Sequence, residues 1–122
     1  MYQRALQGFE KAWGPERTST LDTVNNLGLL YADLGLLDEA EKMYQRALQG
    51  YKKALGQEAV MAYVPSLNTC QNLANLFKRR GKLVEAEEFY HRTLRGIEKV
   101  FGTSSQRYKR ISEALDKMHY NV

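Results

Sequence analysis

The sequence predicts an all-α fold, an α-solenoid of antiparallel helix pairs with about six helices. Three observations carry this reading. The string MYQRALQG occurs at residues 1–8 and again at 43–50, and a degenerate copy, FYHRTLRG, occupies 89–96. Apolar residues recur at helical spacing between these copies, and only Pro15 and Pro65 interrupt them. One repeat of this length cannot bury its own apolar face, so the copies must stack.

The elements follow in order, with bounds good to a few residues. A first helix over 1–13 carries Tyr2, Leu6, Phe9 and Trp13 and closes at Gly14. Helix 20–34 places Val24, Leu27, Leu30 and Tyr31 on one stripe and breaks at Gly35. Helix 37–55 carries Ala40, Tyr44, Ala47, Leu48 and Tyr51 and closes at Gly56. Helix 65–80 carries Cys70, Leu73, Leu76 and Phe77 before Gly81, and helix 83–101 closes at Gly102. Helix 104–120 presents Arg107, Lys109, Arg110, Glu113, Asp116 and Lys117, a polar face that suits a capping element. Left-handed caps are expected at Gly14, Gly56 and Gly102.

Aligning Tyr2, Tyr44 and Tyr90 gives spacings of 42 and 46. The four extra residues fall between Gln57 and Pro65, where a loop with a short turn around 58–63 is expected. Gly8, Gly50 and Gly96 share one phase in mid-helix, where each costs about 1 kcal/mol relative to alanine. Their recurrence predicts that a neighbouring helix passes close there.

Bulk properties bound the rest. The 122 residues suit a single repeat domain, divided as an unpaired helix at 1–14, repeats at 20–56 and 65–102, and the cap. Hydrophobic residues make up 43% and charged residues 26%, as in a globular chain rather than a disordered one. No apolar run approaches the roughly 20 residues of a membrane span, and no signal segment opens the chain. The single cysteine, Cys70, cannot form an internal disulfide, which points to a reducing, cytoplasmic setting. Charge is uneven. Residues 1–61 hold seven Lys/Arg and eight Asp/Glu, whereas 62–122 hold eleven and six, so the excess is all in the second half.

The pattern Val24-x2-Leu27-Gly28-x2-Tyr31, then Ala40-x3-Tyr44, resembles the tetratricopeptide repeat, a helix A followed by a helix B. Cys70-x2-Leu73-Ala74-x2-Phe77, then Ala86-x3-Tyr90, repeats it. The family period is usually about 34 residues. The longer spacing here, with VNNLGLLY and EAEKMYQRAL, is similar to the kinesin-light-chain type. Near-identical tandem copies also resemble the repeat tails of fungal NACHT-type signalling proteins. The resemblance implies a right-handed solenoid and a non-catalytic role. It makes the first helix a B helix without its A partner, so the chain looks like the end of a longer array. Its open apolar face is then a candidate for self-association.

Catalytic chemistry finds little footing, and no cofactor or metal is expected. Glu87 and His91 are spaced i, i+4, but Glu41 and Gln45 hold the same places in the other repeat, so a solvated face is the simpler reading. His119 has no partner nearby in sequence. Cys70 lies on an apolar stripe and reads as a buried, inert thiol. Glu85, Glu87 and Glu88 start a helix, where the dipole favours them. No strand precedes the glycines and no Gly-Lys-Ser/Thr follows them, which excludes a phosphate loop.

Binding is the function left. The resemblance implies that A helices line a concave groove. The groove-facing places are then Asp22, Asn25, Asn26, Leu29, Ala32 and Asp33, followed by Asn68, Gln71, Asn72, Asn75, Lys78 and Arg79. Side-chain amides both donate and accept, so a row of them suits an extended peptide backbone. Lys78 and Arg79 bias the choice toward an acidic peptide. The carboxylate clamp known in this family is not matched. Asn25 and Leu29 stand at its first two places, and Asn72 with Arg110 does not restore it. The rival reading is a nucleic-acid-binding repeat using Lys78, Arg79, Arg80, Lys82, Arg92, Arg95, Lys99, Arg107, Lys109 and Arg110. It lacks the interleaved aromatics of a single-strand reader.

Overall fold

A computed structural model describes residues 18–120, with side chains through Met118. The expected helix over 1–13, its closure at Gly14, Gly8, and the self-association assigned to that helix lie outside the described residues. Six helices follow: α1 Thr18–Asp33, α2 Leu37–Leu55, the short α3 Gln57–Val60, α4 Val64–Arg79, α5 Leu83–Phe101 and α6 Gln106–Tyr120. Among the described residues there is no strand. Two compact units meet in sequence between Val60 and Met61, inside the stretch that holds the four extra residues.

In the first unit α1 packs on α2 through the stripes that the sequence places there. Leu21, Val24 and Leu27 are buried on α1, and Ala40, Tyr44, Ala47, Leu48 and Tyr51 on α2. Burying each such leucine or valine stabilises the fold by about 1.5–3 kcal/mol. Two glycines set how closely the helices approach. A Cβ on Gly28 would meet the Tyr44 ring at 2.6 and 2.7 Å. A Cβ on Gly50 would meet the Leu21 side chain, with Cδ1 at 2.9 Å and Cδ2 nearer still. The first contact joins late α1 to early α2 and the second joins early α1 to late α2, so the helices run antiparallel. The expectation at Gly50 therefore holds, and Gly28 is a second close approach that the periodicity did not single out.

In the second unit α5 packs on both α4 and α6. Leu67, Cys70, Leu73, Ala74, Leu76 and Phe77 are buried on α4, while Ala86, Phe89, Tyr90 and Ile97 are buried on α5. Ile111, Leu115 and Met118 are buried on α6, whose Lys109, Arg110, Glu113, Asp116 and Lys117 are exposed as a cap requires. Gly96 again marks a close approach. Its Cβ would meet Leu67 and, at 2.6 Å, the backbone carbonyl oxygen of Met61.

The hairpin turns repeat one device. Leu36 N–H donates to Tyr31 C=O at 2.8 Å and Gly35 N–H to Ala32 C=O at 3.0 Å; Lys82 N–H donates to Phe77 C=O at 2.8 Å and Gly81 N–H to Lys78 C=O at 3.1 Å. These are Schellman closures, and the glycine φ values of 80° and 76° explain why glycine stands there. Where the motif usually adds an apolar contact, Lys82 Nζ lies 5.9 Å from the centroid of the Phe77 ring. The caps expected at Gly56 and Gly102 differ from the left-handed helical form. Their φ/ψ of 87°/164° and 85°/166° combine positive φ with extended ψ. That region is nearly exclusive to glycine, and it turns the chain out of the helix instead of folding it back.

Candidate partner-binding face

Burial of one α4 stripe turns the other outward. Asn68, Gln71, Asn72 and Asn75 lie at i, i+3, i+4 and i+7, so they share a face. Asn68 and Asn75 are exposed, and Gln71 and Asn72 are half-buried. Lys78 and Arg79 extend the face to the end of the helix, both exposed. α4 contains no aspartate or glutamate. The negative end of the α4 dipole lies beside Lys78 and Arg79 and favours those cations.

Partners on other helices hold this face. Arg107, at the start of α6, donates from Nη2 to Asn68 Oδ1 at 2.7 Å and to Gln71 Oε1 at 2.9 Å, and from Nε to Gln71 Oε1 at 3.3 Å. The Tyr90 hydroxyl on α5 donates to Asn75 Oδ1 at 2.5 Å. Burial pushes the Tyr90 phenol above its ordinary value and pulls the Arg107 guanidinium below its own. Desolvation is the cause in both, since it disfavours the charged form. The sequence placed Arg107 on the polar face of the cap. Its role across α4 was invisible there, because residues 36 and 39 positions apart share no periodic signal.

The α1 positions form the corresponding face of the first unit. Asn25 is half-buried, Asn26 and Asp33 are exposed, and Leu29 is 40% exposed. Asp22 accepts a hydrogen bond from the Tyr51 hydroxyl. In the second repeat Asn68 stands at the place of Asp22 and Ile97, which has no hydroxyl, at the place of Tyr51; Asn68 takes its bond from Arg107 instead. The α1 and α4 sets belong to different units.

Other candidates fare as follows. His91 Nε2 lies 3.7 Å from Glu87 Oε1 on an exposed face, and among the described residues no three His, Cys, Asp or Glu gather as a metal site. Cys70 is 4% exposed, and burial pushes its thiol up, partly offset by nearby Arg92. In the basic cluster, the Arg92 guanidinium stacks 4.9 Å from the centroid of the Phe89 ring, and Arg107 is committed to α4. Phe77 and Phe89 are buried with centroids 5.6 Å apart, so these rings offer no stacking platform for bases. A shallow depression of about 500 Å³ is lined by Gly50 and Leu21 together with Glu41, Arg46, Gln49 and Lys53 among others. No helix is long and apolar enough to cross a membrane among the described residues.

Comparison with known proteins bears on the same helices. The tetratricopeptide repeat family model matches residues 20–58 and 66–107. None of the curated proteins compared matches the chain. Among solved structures, that of BtubC (BKLC) from P. vanneervenii is similar, with a TM-score of 0.83 and 17% sequence identity. The match covers 98% of this chain and 46% of that one, so the chain spans less than half of its length. Likeness at this identity speaks to the fold, an all-α helical repeat.

Proposed function

This chain belongs to the tetratricopeptide repeat family, with repeats of the kinesin-light-chain type, and from that premise we propose that it is a non-catalytic scaffold that docks an acidic peptide along its A helices. Repeats of this family generally mediate protein–protein interaction. The finer reading rests on one observation: α4 presents a face of four amides that ends in Lys78 and Arg79 and carries no acid. Such a face meets a peptide backbone with hydrogen bonds and favours negative side chains by charge. Asn25, Asn26, Leu29 and Asp33 on α1 form the corresponding face of the first unit, with Leu29 as an apolar point. The lone buried Cys70 suits a reducing compartment such as the cytoplasm.

The test is a titration of an acidic peptide, about ten residues long and rich in glutamate, at two salt concentrations. The variants are Lys78→Glu with Arg79→Glu, and Asn72→Ala. The double reversal should slow association on the order of tenfold at low salt and flatten the salt dependence. Asn72→Ala should mainly speed release. Affinity and salt dependence unchanged by the double reversal would move the docking face elsewhere.

A further inference from the structure

We propose that Tyr90 and Arg107 are positioning residues that turn the α4 amides into a ridge of hydrogen-bond donors, so that the second unit selects carboxylate over carboxamide at Asn68, Gln71 and Asn75. The inference rests on the reading that α4 receives a partner, and it names what that partner must present.

A free side-chain amide offers an acceptor on one side and two N–H donors on the other, and rotation exchanges them. On α4 that freedom is removed. Arg107 places two donors on Gln71 Oε1 and one on Asn68 Oδ1. Arginine has no acceptor, so flipping either amide would set N–H against N–H beside a fixed cation. Both oxygens are therefore held toward Arg107 and both NH2 groups face away. The two N–H bonds of Nη1 remain as the uncommitted donors of the guanidinium, beyond the three used.

Asn75 is held by different chemistry. Its Oδ1 accepts from the Tyr90 hydroxyl at 2.5 Å, while the tyrosine is only 3% exposed. A phenol can also accept, so a flipped Asn75 is not forbidden as it is beside arginine. It would leave the buried Tyr90 proton without its acceptor, which disfavours the flip. The result is three amides on one helix face, Asn68, Gln71 and Asn75, whose uncommitted groups donate, followed by Lys78 and Arg79, which can only donate. A partner group that must itself donate, such as a glutamine NH2, meets donors there. A glutamate meets two or more N–H groups aimed at its oxygens. The selection is thus built from neutral groups as well as from charge.

The experiment follows side-chain NH2 resonances of the 15N-labelled chain by NMR during titration with a capped tri-glutamate peptide or its tri-glutamine counterpart. In the parent, tri-glutamate should move the Asn68, Gln71 and Asn75 signals at least severalfold more than tri-glutamine at equal concentration and ionic strength. Tyr90→Phe should narrow that preference at Asn75 and leave it at Asn68 and Gln71. Arg107→Lys keeps the charge, loses the planar fork, and should do the reverse. Overlay of backbone amide spectra reports whether each variant keeps its fold, and the parent comparison and Arg107→Lys stand if Tyr90→Phe does not. Equal shifts with both peptides, no shift with either, or a preference untouched by Arg107→Lys would overturn the proposal. The scaffold reading fails separately, through a longer acidic peptide indifferent to Lys78→Glu and Arg79→Glu.

Discussion

Replacing Gly96 by alanine sets two effects against each other whose sizes are known. In an isolated helix the change would stabilise by about 1 kcal/mol, because glycine loses more backbone freedom on ordering. In this chain the new methyl carbon would stand 2.6 Å from the Met61 carbonyl oxygen and against the end of Leu67. Leu67 can change rotamer; a backbone carbonyl cannot. Relief requires α5 or the segment before α4 to shift, and overpacking of this kind costs about 1–3 kcal/mol. The net expectation is a loss of about 0–2 kcal/mol, the opposite sign to the helix effect. Gly50→Ala supplies the control, since the nearest atoms to its methyl all belong to the Leu21 side chain, which can change rotamer, and its net change should lie nearer zero. Urea unfolding with tryptophan-independent detection by circular dichroism measures both. Gly96→Ala should unfold at lower urea than Gly50→Ala. Adding Leu67→Val should recover only part of the loss, because the carbonyl contact remains. A Gly96→Ala chain stabilised by the full helix increment of about 1 kcal/mol would refute the close approach.

Further expectations rest on single features. Gly50→Leu should overpack Leu21 and lower stability by about 1–3 kcal/mol in the same assay. Gly56→Ala forces a side chain onto φ 87°, ψ 164° and should cost about 1–3 kcal/mol, read from the unfolding midpoint. Thr20 Oγ1 is buried without a hydrogen-bond partner, so Thr20→Val should stabilise by about 1–2 kcal/mol, visible as a raised thermal midpoint. The Cys70 thiol is raised above 9.0 by burial, so the folded chain holds that proton where the unfolded chain releases it. Stability should therefore be intact below pH 9 and fall as pH rises beyond it, and Cys70→Ala should remove that component from a pH series of melts.

Legibility from sequence divided along the range of the interactions. Helix bounds were readable because Leu27, Tyr44, Leu73 and Tyr90 repeat a local period, and the turns because Gly35 and Gly81 stand where Schellman closures need positive φ. The close approach at Gly50 was readable from recurrence alone. At Gly28 the sequence offers alanine in the other repeat, Ala74, and so no recurring glycine to notice. The caps at Gly56 and Gly102 were right in residue and in the sign of φ. Their ψ depends on where the following segment goes, which no local pattern encodes.

The candidate face divides in the same way. Its membership came from the resemblance, which assigns those places of helix A to the groove, and the register of α4 agrees, because burial of Leu67, Cys70, Leu73 and Ala74 leaves Asn68, Gln71, Asn72 and Asn75 on the opposite side. Its chemical sense did not, because an amide is donor and acceptor until a neighbour commits it. Those neighbours lie on α5 and α6, 15 to 39 positions away in sequence. The two repeats differ at that point: Tyr51 donates to Asp22 in one, while Arg107 donates to Asn68 in the other. Duplicated helices thus carry faces of unlike character, an acid tied to a phenol on α1 and amides tied to a guanidinium on α4.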